Sequence, residues 1–269
     1  MQQYQLNQLT VAIKSAGELA TAVACRLFNA NIRKIFMLET HEPVAVRRTV
    51  AFCEALRMGQ MIVEDVKAVQ ADATAGIERA WHDNCVPVIA DPEWRFIPLM
   101  APDVVVDAIL AKRNLGTFMD EAPLVIASGP GFTAGTDAHF VIETKRGHNL
   151  GRVILAGAAA HNTGRPGNIA GYTVERVLRA PVSGLFTSER KLGDLVKRDD
   201  LIGDVSGHPI RAAIGGMIRG LIYSGGHVTK GMKLGDIDPR ADAAYLDTIS
   251  DKGRAIGGAV LEAILRHYN

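Results

Sequence analysis

The chain alternates short runs of β-branched and other apolar residues with segments whose apolar positions recur at helical spacing. Residues 9–13 (LTVAI) predict a strand. After KSAG, the apolar residues Leu19, Val23 and Leu27 fall at i, i+4 and i+8, which predicts a helix entered through a tight turn. Residues 34–39 (KIFMLE) predict a second buried strand. Residues 44–58, with Arg47 and Arg48, predict a second helix, and 73–81 a third. Further strands are expected at 86–90, 104–107, 124–127, 140–143 and 153–155. Strand and helix in alternation imply a mostly parallel α/β sheet, so a Rossmann-like domain is expected over residues 1–162.

Beyond about residue 165 the pattern changes to short strands punctuated by glycine, and the chain repeats itself. A shift of 32 positions places Ala180 on Ala212, Gly184 on Gly216, Gly193 on Gly225, Val196 on Val228, Gly203 on Gly235 and Asp204 on Asp236. Two such copies are too few for a solenoid, but they can interlock. The segments APVSG…GDLVKRDDLIGDV and AAIGG…GGHVTKGMKLGDI resemble the barrel-sandwich hybrid of biotinyl and lipoyl domains, expected over 163–240. The hairpin between the copies, Asp204 to Pro209 (DVSGHP), has no lysine, so no covalent biotin or lipoate is expected. In residues 241–269, Ile256, Val260 and Ile264 share a face and predict a closing helix that packs back on the first domain.

Composition narrows the function. With 30 Lys and Arg against 29 Asp and Glu, the net charge of +1 supplies no global field for nucleic acid or an anionic membrane. The 15 aromatic residues among 269 offer few stacking platforms for single strands. No apolar run reaches the ~18 residues of a membrane span, and the first residues, MQQYQLNQLT, lack a signal-peptide pattern. Three cysteines without paired spacing suit a reduced, cytoplasmic protein. Neither HExxH nor paired His and Cys suggests a metal site, and neither GxSxG nor a Walker A loop is present. Self-association is left open.

Candidate chemistry gathers at the ends of the expected strands, where open α/β sheets bind ligands. In Lys14-Ser15-Ala16-Gly17 only the middle glycine of a dinucleotide fingerprint is kept, while Glu39 ends the next strand where an acid would hold a ribose hydroxyl. A nucleotide or phosphate turn and a structural turn are both compatible with that. The segment from Ser128 to Asp137 contains Gly129, Gly131, Phe132 and Thr133, and its small residues would let backbone amides face an anion. Lys112, Arg113 and Asn114 follow another strand and could clamp phosphate. Glu143, Arg146 and His148 pack a carboxylate, a cation and an imidazole beside a turn. Of Arg47 and Arg48, at most one could enter a site from a helix. Cys85, just before a strand, is the candidate exposed thiol.

The segments KSAGELATAVACRL, ETHEPVAVRRTVAFCEAL, DVVVDAILAKRNLGT, GPGFTAGTDAHFVIETKRGHNLGRVI and KGMKLGDIDPR…SDKGRAIGGAVLEAIL resemble the YqeB-type proteins of the selenium-dependent molybdenum hydroxylase system. The resemblance runs over nearly the whole chain. It implies an accessory or maturation factor, similar in role to xanthine dehydrogenase accessory factors, that takes molybdenum cofactor as cargo and partners a molybdenum hydroxylase or its maturation proteins. Ser15 and Glu18 depart from the family's KGAGDLATG, which has Gly and Asp there. Gly17, the Gly129 to Thr133 loop, Lys112, Arg113 and Arg146 would hold phosphate, with Glu143 and His148 near the pterin or a labile selenium or sulfur ligand. Two other readings stand beside this one: an NAD(P)-dependent oxidoreductase using Glu39, and a non-catalytic docking scaffold. Whether any reaction is catalysed is open.

Overall fold

Apolar residues on both faces of β1 (Thr10–Lys14) mark it as a central strand, and a computed structural model, which describes residues 5–164 and 166–269, places it mid-sheet. It is followed by α1 (Glu18–Asn29), β2 (Lys34–Glu39), α2 (Ala55–Met58), β3 (Gln60–Val63), β4 (Val66–Ala71), α3 (Thr74–His82), β5 (Val86–Ala90) and α4 (Phe96–Met100). Next come β6 (Val104–Asp107), β7 (Leu124–Ser128), β8 (Thr133–Ala134), β9 (Phe140–Ile142), β10 (Val153–Ile154) and β11 (Gly157–Ala158). The later elements are β12 (Val177–Arg179), β13 (Gly184–Thr187), β14 (Leu195–Val196), β15 (Leu201–Val205), β16 (His208–Arg211), β17 (Gly216–Leu221), β18 (His227–Val228), β19 (Lys233–Asp238), α5 (Ala244–Asp247) and α6 (Asp251–Tyr268). Two units result: residues 1–43, 50–162 and 249–269, and residues 44–49 and 163–248.

The first unit is built on a nine-stranded mixed sheet in the order β10-β9-β7-β6-β1-β2-β5-β4-β3. Its inner strands run parallel, while β3 and β10 add antiparallel edges. The expected Rossmann-like sheet is therefore corrected. A dinucleotide sheet keeps its third strand beside the second, whereas here β5 lies between β2 and β4. On one face Ala12, Val105, Val125, Ala127 and Val141 pack with Ile77 of α3 and Ile97 of α4. The terminal helix α6 runs alongside α1 in the same direction: Ser250 lies by Glu18, and Gly253 by Ala22. A Cβ on Gly257 would come within 2.8 Å of the Ala22 carbonyl oxygen, so only glycine permits this approach. α6 also lies against β7, β9 and β10.

The second unit realises the 32-residue repeat element by element. β12, β13, β14 and β15 of one copy correspond to β16, β17, β18 and β19 of the other. The strands pair as two four-stranded antiparallel sheets, β12-β19-β17-β14 and β16-β15-β13-β18, each taking two strands from each copy. Phe186, Ile202, Ile218, Leu234 and Ile237 pack between them. This corrects the expected biotinyl/lipoyl-like barrel-sandwich hybrid. Among the described residues no ladder joins the two sheets, and the unit also recruits residues 44–49, with Leu221 N donating to Val46 O at 2.8 Å. The expected helix over 44–58 is correspondingly reduced to two 3-10 turns and α2.

Candidate functional site

Parallel pairing aligns the C-terminal ends of the inner strands. Lys14 is opposite Asp107, Asp107 opposite Ala127, and Ser128 opposite Ile142. Most of the sequence-predicted residues therefore follow these strand ends, whereas Arg47 belongs to the second unit and Cys85 precedes β5; their surroundings divide them into three groups.

The first group is at β1. Lys14 is fully buried, and its Nζ donates to Thr117 Oγ1 at 2.8 Å and Glu121 Oε1 at 2.6 Å, 5.3 Å from the Trp94 ring centroid. Thr117 Oγ1 in turn donates to Asp107 Oδ2 at 2.7 Å. Burial pushes the carboxyls of Asp107 and Glu121 above their ordinary range, although hydrogen bonding pulls each back toward ionisation. Lys14 is thus withdrawn from the phosphate-binding role expected of it. The adjacent turn is also self-satisfied. Glu39 Oε2 accepts from Ala16 N at 2.8 Å and Ser15 Oγ at 3.2 Å, its Oε1 accepts from Thr40 N at 2.8 Å, and Gly17 N donates to Ser15 Oγ. The acid expected to hold a ribose holds its own loop.

The second group orders loops or the core. Asp137 Oδ2 accepts from Thr133 N at 2.7 Å, and Asn114 Nδ2 donates to Thr117 O at 2.8 Å. Phe132 lies in the hydrophobic core. Arg47, expected near a ligand, is buried in the second unit, where its Nη2 donates to the carbonyls of Tyr245, Leu246 and Thr248. Arg48 stacks on Tyr223, with its guanidinium carbon 3.8 Å from the ring centroid. Cys85 is buried with its Sγ 3.4 Å from Asp83 O, which corrects the expected exposed thiol. Glu143 is also buried, and both carboxylate oxygens accept backbone amides, from Lys145 at 2.7 Å and Ala160 at 2.8 Å. His148 is exposed on the adjoining turn.

The third group is assembled by the loops after β6, β7 and β9 together with the start of α6. Gly131, at φ +104°, packs so closely on the loop after β6 that a Cβ would lie 2.5 Å from Arg113 Cα. That contact holds the Lys112-Arg113 segment beside Gly129 and Gly131. Across from it, Arg146 forms a two-pronged pair with Asp251, with Nη2 to Oδ1 at 2.8 Å. Next to Asp251 is Lys252, a half-buried lysine absent from the sequence-based set. Burial, then the neighbouring charges of Arg146 and Lys112, hold its amine below the ordinary lysine range, while Glu18 and Glu143 act in the opposite sense. Among the described residues the side chains of Lys112 and Lys252 make neither a hydrogen bond nor an ion pair. Ser128 Oγ, which is fully buried, has no hydrogen-bond partner among the described residues. By strand alternation Ser128 projects with Leu124 and Ile126, opposite to the core residues Val125 and Ala127. Lys252 was hidden in sequence because only the fold brings the β9–β10 turn over the start of α6.

Fold and site together define a two-unit protein: an α/β unit carrying a cationic cluster at its strand ends, and a unit of two interlocked antiparallel sheets. No protein-family model matches the chain. It is similar to the uncharacterized protein YqeB of Escherichia coli (strain K12), a homologue 51% identical over 255 residues, covering 95% of this chain and 47% of that protein. The chain thus spans about half the length of this curated relative. Solved structures similar to it include the product-bound ectoine utilization protein EutE (DoeB) from Ruegeria pomeroyi, 14% identical over 84% of this chain and 56% of that one, at a TM-score of 0.24. An aspartoacylase family protein from Mesorhizobium loti is 12% identical, covers 85% and 84%, and has a TM-score of 0.25. A succinylglutamate desuccinylase from Silicibacter is 14% identical, covers 85% and 84%, and has a TM-score of 0.26. At such scores they carry no argument about fold or activity. Among the described residues no helix is long and apolar enough to cross a membrane. Nor do three or more His, Cys, Asp or Glu gather as a metal site there.

Proposed function

We propose that this chain is an accessory or maturation factor of a selenium-dependent molybdenum hydroxylase system, and that its α/β unit holds a phosphate-bearing ligand, molybdenum cofactor, as cargo at the sheet edge. The observation that carries the binding reading is Lys252: a half-buried ammonium next to the Arg146–Asp251 pair and within the influence of the Lys112 charge, whose side chain makes no ion pair among the described residues. Clustering cations at a partly desolvated site raises the energy of the empty protein, and a bound phosphate relieves it. The pathway is suggested by the resemblance of GPGFTAGTD…RGHNLGRVI to YqeB-type proteins. Cargo handling also fits the absence, in this group, of a nucleophile positioned by a base, since Glu143 is spent on backbone amides. The test is anaerobic equilibrium binding of molybdenum cofactor to the purified chain, with and without selenide, followed by transfer to an apo-hydroxylase. Saturable binding weakened in Lys252→Met supports the reading. No binding under either condition refutes it.

A further inference from the structure

Two positions that would receive a pyrophosphate-linked dinucleotide in an open α/β sheet are filled by the chain itself. The strand order reverses at β1, with β2 on one side and β6 on the other, and the crevice at such a reversal is the usual nucleotide site. Here the buried series Glu121, Lys14, Thr117 and Asp107 closes the ends of β1 and β6. The turn that would place backbone amides against pyrophosphate has Ala16 N bonded to Glu39 and Gly17 N bonded to Ser15.

The cations available to a ligand lie farther along the edge, around the ends of β7 and β9. Lys112 and Lys252 have no carboxylate partner among the described residues. Arg146 shares its guanidinium with Asp251, which is exposed. The other carboxylates facing this group are Glu143, with both oxygens occupied by backbone amides, and Glu18, which accepts from Ser250 Oγ at 3.1 Å. Ser128 Oγ, at the end of β7, adds a buried hydroxyl without a hydrogen-bond partner among the described residues. A terminal phosphate monoester carries nearly two charges and three acceptor oxygens on one phosphorus. It therefore matches several convergent donors. An internal diester has one charge and two free oxygens, and it depends on turn amides that this chain has already used.

We infer that the Lys112, Arg146 and Lys252 cluster accepts the terminal phosphate monoester of its ligand and discriminates against pyrophosphate-linked dinucleotides. This inference rests on the anion-binding reading above and narrows its ligand class. The experiment uses the full chain at fixed ionic strength and compares calorimetric titrations with phenyl phosphate, diphenyl phosphate and NAD. The expected result is saturable binding of phenyl phosphate, at least about tenfold weaker in both Lys252→Met and Lys112→Met and retained in Lys252→Arg, with the diester and NAD at least about tenfold weaker than the monoester. Lys112 is exposed, so its variant tests the site even if substitution at 252 disturbs folding. Equal binding of diester or dinucleotide would overturn the inference while leaving an anion site in place. Monoester binding insensitive to both lysine substitutions, or no anion binding at all, would overturn the underlying reading as well.

Discussion

Ser15 Oγ donates to Glu39 Oε2 at 3.2 Å while its own backbone sits at φ +86°, in the region that favours glycine. The serine thus trades backbone strain for side-chain bonds that close the β1–α1 turn. Such strain costs ~1–3 kcal/mol, against ~1 kcal/mol for a typical net hydrogen bond. Ser15→Gly relieves the strain but removes two such bonds, to Glu39 and from Gly17 N, and is expected to leave stability within about 1 kcal/mol of the parent. Chemical denaturation measures this, and a larger loss of stability would show that the serine hydroxyl outweighs the strain.

Lys14 and Glu121 form an ion pair with side chains 0% and 7% exposed. Removing only one partner leaves a buried charge, so Lys14→Met should cost ~3–5 kcal/mol. Joining it to Glu121→Gln should recover much of that loss, because the stranded carboxylate is gone. A double-mutant cycle by urea unfolding checks this; additive losses would show that the two groups do not act as a pair.

The pH dependence of anion binding follows from Lys252. Its folded-state amine titrates below the ordinary value of 10.5, so the unfolded chain binds more protons between the two values and this group's contribution to stability rises with pH across that window. Anion binding has the opposite sign, because a phosphate favours the ammonium. Affinity for a phosphate monoester should fall as pH rises above about 8, where the phosphate is already a dianion. Calorimetry in buffers of different ionisation enthalpy should show proton uptake on binding at alkaline pH. In Lys252→Arg both the fall and the uptake should be lost.

Burial also decides the thiols. Cys25 is pushed up to about 12 and Cys53 is raised likewise, first by desolvation and then by nearby carboxylates, while Cys85 is buried just before β5. A thiol-reactive chromophore should label the native protein slowly and label all three cysteines at once in denaturant. Rapid native labelling of Cys85 would contradict its burial.

In the second unit, Arg47 supplies donors to three carbonyls at the end of α5. Arg47→Ala should destabilise that unit by about 3 kcal/mol, since charged hydrogen bonds to three partly buried carbonyls are lost together. Limited proteolysis should then cleave faster near residue 245.

The legible parts of the fold were those whose burial is local in origin. Strands over 34–39, 86–90 and 104–107 coincide with β2, β5 and β6 because continuous apolar runs are buried on both faces there. The 32-residue rhythm appeared because each copy needs glycine at the same strand start, seen in Gly184 and Gly216, at φ +155° and +152° with no room for a Cβ. By contrast β3 and β4 escaped notice. β3 is an exposed edge, and its turn passes through Glu64 at φ +51°, a residue that does not signal a hairpin. The helix expected over 44–58 failed because 44–49 pair with residues about 170 positions away, which local periodicity does not encode. Site legibility had the same limit. Lys112, Arg146, Gly129 and Gly131 stood out by composition, whereas Lys252 is distinguished only by what surrounds it.

The pairing of α6 with α1 also orders events during synthesis. Residues 163–248 form a separate unit between β11 and α6, so α1 and most of the nine-stranded sheet emerge from the ribosome long before the helix that covers them. Until Gly253 and Gly257 arrive, the Ala22 side of α1 is uncovered and the lysine beside Arg146 is missing. Docking of α6 on α1 therefore coincides with completion of the cationic cluster: a nascent chain brings Lys252 beside Arg146 only when α6 is in place.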